Sequence, residues 1–377
     1  MKTKFFTILM VSIICISNIL SQTNGNNAPS PLELTTSIPL ANVTGRLGHM
    51  AYNGKQQIIY VAALSNNTVE VVDIQNKKKL SSIKSFNQPE GVAYVSTGDL
   101  LFVACLGDGL CKIFDSNTNK EVNSQRLGGS VNTIRFSALQ QKIYIGFGDG
   151  DISIYDANSV KMKATIKLSA HPESFQLDEK MNKIYVNVPK SKQIEVIDLK
   201  ENVVKNSWKI TDAAENYPMA LDTASHRLFV GCRNPAKLLV LDTENGNKIT
   251  AIDIDGDVND IFFNNSNKQV YVSCGDGYLD VFKQDIKMIQ QVIKQEAKPA
   301  VAKNTKNAKG KKGAKPPKPM AKQEIKVIKQ DSYESVTRLF TSSGARTSLY
   351  IPELSQIVVA APASSGKDAQ LMVYQIK

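Results

Sequence analysis

An all-β chain folded as a seven-bladed β-propeller of four-stranded antiparallel blades is what the sequence predicts, on three observations. The first is a repeat. Short apolar runs begin at Tyr60, Phe102, Tyr144, Tyr185, Phe229, Tyr271 and Val358, with spacings of 42, 42, 41, 44, 42 and 87 residues. A strand-built period of about 40 residues is the mark of a propeller. The second is the character of the runs. Stretches such as IIYVAAL from residue 58 are apolar at consecutive positions, as strands covered on both faces require. The third is punctuation. The third strand of five units ends in Asp, at Asp73, Asp115, Asp156, Asp198 and Asp242, where the carboxylate can accept from the backbone of its own turn.

The third unit shows the layout. An inner strand is expected near Val131–Phe136, a second at Lys142–Gly146, a third at Ile152–Asp156 and an outer fourth at Lys163–Leu168. Gly-Asp-Gly joins second to third strand at 107–109, 148–150 and 275–277, where glycine supplies the positive φ of a tight hairpin. A calcium loop would need several carboxylates in one short segment, which none of these provides. The final unit ends at Leu371–Ile376 with its third strand, so Leu32–Val43 is expected to supply the fourth and leave no exposed edge. One domain is therefore expected over 22–377.

The double-length last gap holds a single unit and an insertion. Residues 295–326 are rich in Lys, Ala and Pro and cannot bury enough apolar surface to fold, so they are expected to be a disordered loop leaving the last blade junction. The near copies Val292-Ile293-Lys294-Gln295 and Val327-Ile328-Lys329-Gln330 flank it and are placed to pair as a two-stranded stalk.

Charge locates to that insertion. Of a formal net +11, residues 295–322 carry +8 from nine Lys and one Glu, and Lys2 with Lys4 carry +2, leaving +1 for everything else. Lys309, Lys311, Lys312, Lys315 and Lys318 are candidate contacts for a polyanion; the alternative is a solvated insertion with no partner, since the segment has no aromatic ring for base stacking.

Lys2 and Lys4 precede an apolar stretch from Phe5 to Ile19, with a cleavage point near Ser21, the layout of a secretory signal peptide over 1–21. The stretch is shorter than the ~20 residues of a spanning helix, and Ile14 before Cys15 does not suit a lipobox. The expected location is secreted or periplasmic, with no transmembrane segment in the mature chain, which is expected to be a monomer.

Of the remaining cysteines, Cys105 and Cys111 flank Gly107-Asp108-Gly109 symmetrically and are a candidate cross-strand disulfide. Cys232 and Cys274 hold the same place in adjacent repeats and read as buried packing residues. Neither Cys-x-x-Cys nor Cys-x-x-Cys-His occurs, and no metal or cofactor is expected.

Counting back twelve residues from the anchors gives Gly48, Glu90, Asn132, Glu173, Asn259 and Arg346, with Pro218 at this level in the fifth unit. Inner strands line a propeller's channel, so these side chains are expected to ring its mouth, joined by Arg46, His49, His171 and Arg233. Two readings of the ring stand side by side. In one, Arg46, Arg233 and Arg346 offer forked donors to a small anionic or amphoteric ligand. In the other, Arg–Glu pairs fasten neighbouring blades. Glu173, beside His171, is the best acid–base candidate, but Gly-x-Ser-x-Gly, His-x-His and His-Glu-x-x-His are all absent, and no catalytic residue is assigned.

Five local motifs carry a resemblance: GRLGHMAYN at 45–53, AHPESFQLD at 170–178, NYPMALD at 216–222, HRLFVGCRNPAKLLVLDTENG at 226–246 and GARTSLYIPEL at 344–354. With the blades aligned, the chain resembles the bacterial YVTN-type repeat propellers, and more closely the exported YncE-like seven-bladed proteins, over residues 40–377 apart from the insertion. It departs from them in that insertion and in second strands that read YVA or YVS but never YVTN. The resemblance implies an exported propeller with no settled activity, and it transfers no catalytic residue. A noncatalytic binding or protein-interaction module is therefore the expected function. The alternative is a propeller enzyme, either a lactonase-like metal-dependent hydrolase or a quinone-linked redox protein.

Overall fold

Seven separate four-stranded antiparallel sheets make up the computed structural model, which describes residues 30–294 and 323–377. The first five blades each use four consecutive strands, from Met50–Asn53 in blade 1 to Lys248–Asp253 in blade 5. The chain is a seven-bladed propeller.

Its last blade is closed by the N-terminal strand. Leu32–Leu40 pairs antiparallel with Ala369–Ile376, from Leu32 opposite Ile376 to Leu40 opposite Ala369. This strand stops three residues short of the expected Val43. Ile38 and Leu40 are fully buried in the apolar layer shared by blades 7 and 1, which makes closure a matter of packing as well as of backbone pairing.

Apolar layers between blades form the core, and each strand feeds two of them. In the second blade Leu101, Val103 and Cys105 pack toward Tyr60 and Ala62 of blade 1. The intervening Phe102 and Ala104 pack toward Ile143 and Ile145 of blade 3. Burying each such side chain contributes about 1.5–3 kcal/mol, which is why the runs are continuously apolar. Four of the anchors are tyrosines whose hydroxyls still find partners: Tyr60 donates to the Ser116 carbonyl at 3.1 Å, Tyr144 to Gln140 at 2.7 Å, Tyr185 to the Thr243 carbonyl at 3.4 Å and Tyr271 to Gln269 at 2.8 Å. An apolar ring with a satisfied polar tip suits a site buried except at its end.

The repeated Asp residues are turn formers. Asp115 accepts from the Asn117 and Thr118 amides at 2.9 and 2.8 Å, and Asp73, Asp156, Asp198 and Asp242 do the equivalent. Side-chain hydrogen bonds from Asn76 to Asp73 and from Ser159 to Asp156, together with the amide bonds, hold the carboxyls of Asp73 and Asp156 below the usual carboxylate range, and the amide bonds do the same for Asp115 and Asp198.

The structure sets the two cysteines of the expected disulfide on opposite faces of their blade. Cys111 stands opposite Ala104, one residue out of register with Cys105. Successive residues of a strand face opposite ways, so Cys105 points into the layer with blade 1 and Cys111 into the layer with blade 3. The hairpin between them is tighter than symmetry about Asp108 implies, because Gly109 sits at φ +70° with the Gly129 carbonyl where a Cβ would be. Cys105, Cys111, Cys232 and Cys274 are all buried free thiols. Burial pushes Cys105 up to about 11 and Cys232 up to about 12.

The insertion lies inside blade 6 rather than at a blade junction. Its third strand, Tyr278–Lys294, pairs with the outer strand Gln323–Phe340 along its whole length, whereas the second strand reaches only Lys283. Beyond that point the two run on as a hairpin. The flanking copies pair as a stalk, with Ile289 opposite Ile328, and the strand claims 323–326 from the stretch expected to be loop. The stalk leaves from the edge where Asn264, Gln269 and Lys283 align, the end opposite the starts of the inner strands. Its base is fastened to blade 5: Arg227 grips Asp331 with Nε at 2.6 Å and Nη2 at 3.0 Å, both side chains buried, and Tyr333 sets its edge on Phe229. The expected signal peptide, 1–21, and residues 295–322 lie outside the described residues. No helix among the described residues is long and apolar enough to cross a membrane.

Candidate functional site

A cavity of about 600 Å³ opens at the end of the channel where the inner strands begin, and all seven blades contribute to its lining. Repeated β-bulges put the mouth residues there. The ladder between inner and second strand slips at Pro89/Gly91, Val131/Thr133 and Val258/Asp260, leaving Glu90, Asn132 and Asn259 as the extra residues. A bulge bends its strand and re-aims the side chain it carries. Gly91 lets this happen between close neighbours, since a Cβ there would meet the Asn132 carbonyl at 2.0 Å.

Arg46, His49, Glu90, Asn132, His171, Glu173, Arg233 and Asn259 all line the cavity. Arg346 and Pro218 do not; Tyr217 stands where Pro218 was expected, because blade 5 has its own slip between Asn216 and Met219. The polyanion candidates Lys309, Lys311, Lys312, Lys315 and Lys318 lie outside the described residues.

Three arginines expected to offer forked donors are already engaged between blades. Arg46 of blade 1 reaches Glu90 of blade 2 at 2.5 Å. Arg233 of blade 5 donates to the Val258 carbonyl at 2.9 Å and to Asn259 at 2.8 Å, lies 3.3 Å from Asp257, and stacks 4.3 Å over the Tyr217 ring. Arg346 of blade 7 puts one nitrogen 2.9 and 2.7 Å from the two Asp257 oxygens. In this respect the arginines fasten blades.

The cation the spacing missed is Arg135. Residues directly opposite the anchors form a second tier, below the mouth: Ala51, Ala93, Arg135, Gln176, Ala220, Phe262 and Leu349. Arg135 is the one charged member. Its Nη1 donates to the Ile134 carbonyl at 3.1 Å and its guanidinium stands 6.0 Å from the Phe175 ring centre. Among the described residues, no carboxylate oxygen lies within 4.0 Å of it. Desolvation lowers its pKa, and the more distant Asp260 opposes that. Counting back nine residues from each anchor, instead of twelve, would have found it.

Asp260 was also missed. It lies one residue after the bulge, accepts from the Ser348 amide at 2.9 Å and stands 3.2 Å from His49 Nδ1. Burial works against a charged His49, but Asp260 and then Glu90 outweigh it and raise the imidazole above its ordinary value. His171 Nδ1 donates to the Gly148 carbonyl at 2.5 Å, so its Nε2 is the nitrogen left for other partners. Glu173 accepts from Asn132 Nδ2 at 2.6 Å. Burial pushes its carboxyl upward, with His171 and Asn132 pulling partly back. Arg46 Nε, Glu90 Oε2 and Asn259 Nδ2 have no hydrogen-bond partner among the described residues. No group of three or more His, Cys, Asp or Glu placed to hold a metal occurs among them.

With the fold and this mouth in view, the relatives are informative. The uncharacterized protein YncE of Salmonella typhimurium is 27% identical over 141 residues, 36% of this chain and 40% of that protein. Over that stretch the chain is similar to YncE. The match to this relative spans well under two thirds of the relative's length. A second relative, antigen Lp49 of Leptospira interrogans, is 24% identical over 257 residues, 61% of this chain and 48% of the antigen. No family model matches the sequence. Among solved structures, hydrazine synthase of Kuenenia stuttgartiensis superposes with a TM-score of 0.66 at 13% identity, over 88% of this propeller and 96% of that chain, a likeness of fold alone.

Proposed function

We propose that this propeller is an exported, noncatalytic binding module whose channel holds a small anionic ligand, with Arg135 as the group that takes the anion. A binding role suits the fold and its relatives; the ligand is inferred from the cavity. The observation that carries it is a desolvated guanidinium, alone in an otherwise uncharged tier and without a carboxylate within 4.0 Å, lining a cavity of about 600 Å³. A half-buried cation without a counter-charge beside it is disfavoured, and an oxyanion with matching lone pairs removes that cost. Unpartnered donors on Arg46 Nε and Asn259 Nδ2 point the same way, toward an acceptor-rich ligand.

The Lys-rich segment supports a second, separate contact, with a polyanion. The strands that lead into it leave from the face opposite the cavity, so a polyanion held there leaves the channel mouth open. The signal-like N-terminus supports export. The channel reading is tested by titrating the protein with small carboxylates and phosphates and following melting temperature and heat of binding. A saturable ligand whose affinity falls at least about tenfold in Arg135→Gln supports it; affinity indifferent to Arg135 removes it.

A further inference from the structure

Resting on the reading of the channel as an anion site, we propose that its ligand is amphoteric, a small amino acid whose carboxylate meets Arg135 and whose ammonium meets Glu173. Around the cavity three groups, Arg135, Glu173 and His171, have no ion-pair partner within 4.0 Å, and His171 acts on Glu173 from beyond that distance. Glu90 is answered by Arg46 at 2.5 Å, Asp260 by His49 at 3.2 Å, and Asp257 by Arg346 at 2.7 Å and Arg233 at 3.3 Å. Arg135 has no carboxylate within 4.0 Å, and Glu173 has no Lys, Arg or His nitrogen within that distance among the described residues. Both line the same cavity, one on blade 3 and the other on blade 4.

Their heights differ. Glu173 is at the mouth, and Arg135 is in the tier three residues further along the inner strands, roughly 7–10 Å at the rise of an extended chain. Two long side chains close much of that gap. What is left suits a molecule with its two charges a few bonds apart. A plain anion would sit on Arg135 with Glu173 facing it across the same low-dielectric space. A dianion would be opposed directly. An ammonium at the mouth turns that opposition into attraction and gives Glu173 the donor it lacks beyond Asn132.

The probes are the twenty protein amino acids, β-alanine and γ-aminobutyrate, each compared with the acid in which hydrogen replaces the amine, by thermal shift and then calorimetry. At least one amino acid is expected to bind at least about tenfold tighter than its amine-free acid, since a site built for a donor rejects the analogue without it. Glu173→Gln is expected to abolish that preference, while Arg135→Gln weakens acid and amino acid alike. If Arg135→Gln does not fold, Arg135→Lys keeps the charge without the planar fork and is expected to show the same loss in smaller degree. Equal affinity for acid and amino acid, or indifference to Glu173→Gln, overturns the amphoteric ligand and leaves the anion site standing if Arg135 still matters. Binding of neither class overturns both.

Discussion

His49 Nδ1 stands 3.2 Å from Asp260 Oδ1, and the second oxygen of the same carboxylate accepts the Ser348 amide at 2.9 Å, so one side chain joins blades 1, 6 and 7. These are the blades on either side of the ring closure. His49 keeps 30% of its side-chain surface open to the cavity, so the pair is partly screened.

This contact sets a pH dependence. The folded state raises the His49 pKa above its ordinary 6.5, so the contribution is fully present below about that pH and is lost as pH rises through the folded value. His49→Gln is expected to lower stability by roughly 1–2 kcal/mol at acidic pH and to flatten the decline that begins as pH rises above about 6.5. Denaturant melts at several pH values measure it; an unchanged pH profile would remove His49 from the closure.

Arg346 is expected to act on stability alone. Its partner Asp257 is shared with Arg233, and neither Arg346 nor its contact lines the cavity. Arg346→Ala should cost roughly 1 kcal/mol, the scale of a partly exposed ion pair, and leave affinity for any channel ligand intact. Measuring melting temperature and affinity on the one variant separates a fastener from a ligand contact.

The N-terminal strand closes the ring through Ile38 and Leu40, both fully buried. Ile38→Ala is expected to destabilise the protein by about 2–5 kcal/mol. Removal of residues 30–43 should lower the melting temperature sharply, since it strips the outer strand from Ala369–Ile376 and exposes a sheet edge. A truncated chain as stable as the parent would contradict closure by this strand.

The thiols are expected to be inert in the native state. Cys105, Cys111, Cys232 and Cys274 are buried, and burial pushes each thiol upward. A thiol reagent should modify none of the four until denaturant is added and all of them afterwards. A mass gain of two hydrogens on reduction would restore the disulfide.

Replacing residues 295–322 by a short Gly/Ser linker should leave the melting temperature unchanged. The contacts that hold the stalk, Arg227 with Asp331 and Tyr333 on Phe229, lie outside the exchanged stretch. Because that stretch carries +8 of the formal +11, retention on heparin in low salt should be lost with it. Retention that persists would place the polyanion surface on the blades.

How far the chain alone reaches is clear from the residues. Tyr60, Phe102, Tyr144 and their equivalents recur because each must fill the same layer between blades, and that demand is local, periodic and visible as a spacing. The missing fourth strand after Ile376 is legible for the same reason, as is the crowding of Glu90, Asn132 and Glu173 at one level. Pairing was not legible. Whether Arg46, Arg233 and Arg346 face a ligand or a neighbouring blade depends on carboxylates from other repeats, and a one-residue offset at Ala104 and Cys111 turns a symmetric cysteine pair onto opposite faces. Arg135 is picked out by the pairing register, which sets it directly opposite Tyr144, nine residues ahead of that anchor and below the slip that re-aims Asn132. Period and burial are properties of one strand and its turn, so the chain carries them by itself. Register, bulges and charge pairing arise between strands distant in sequence, so only the closed ring decides them.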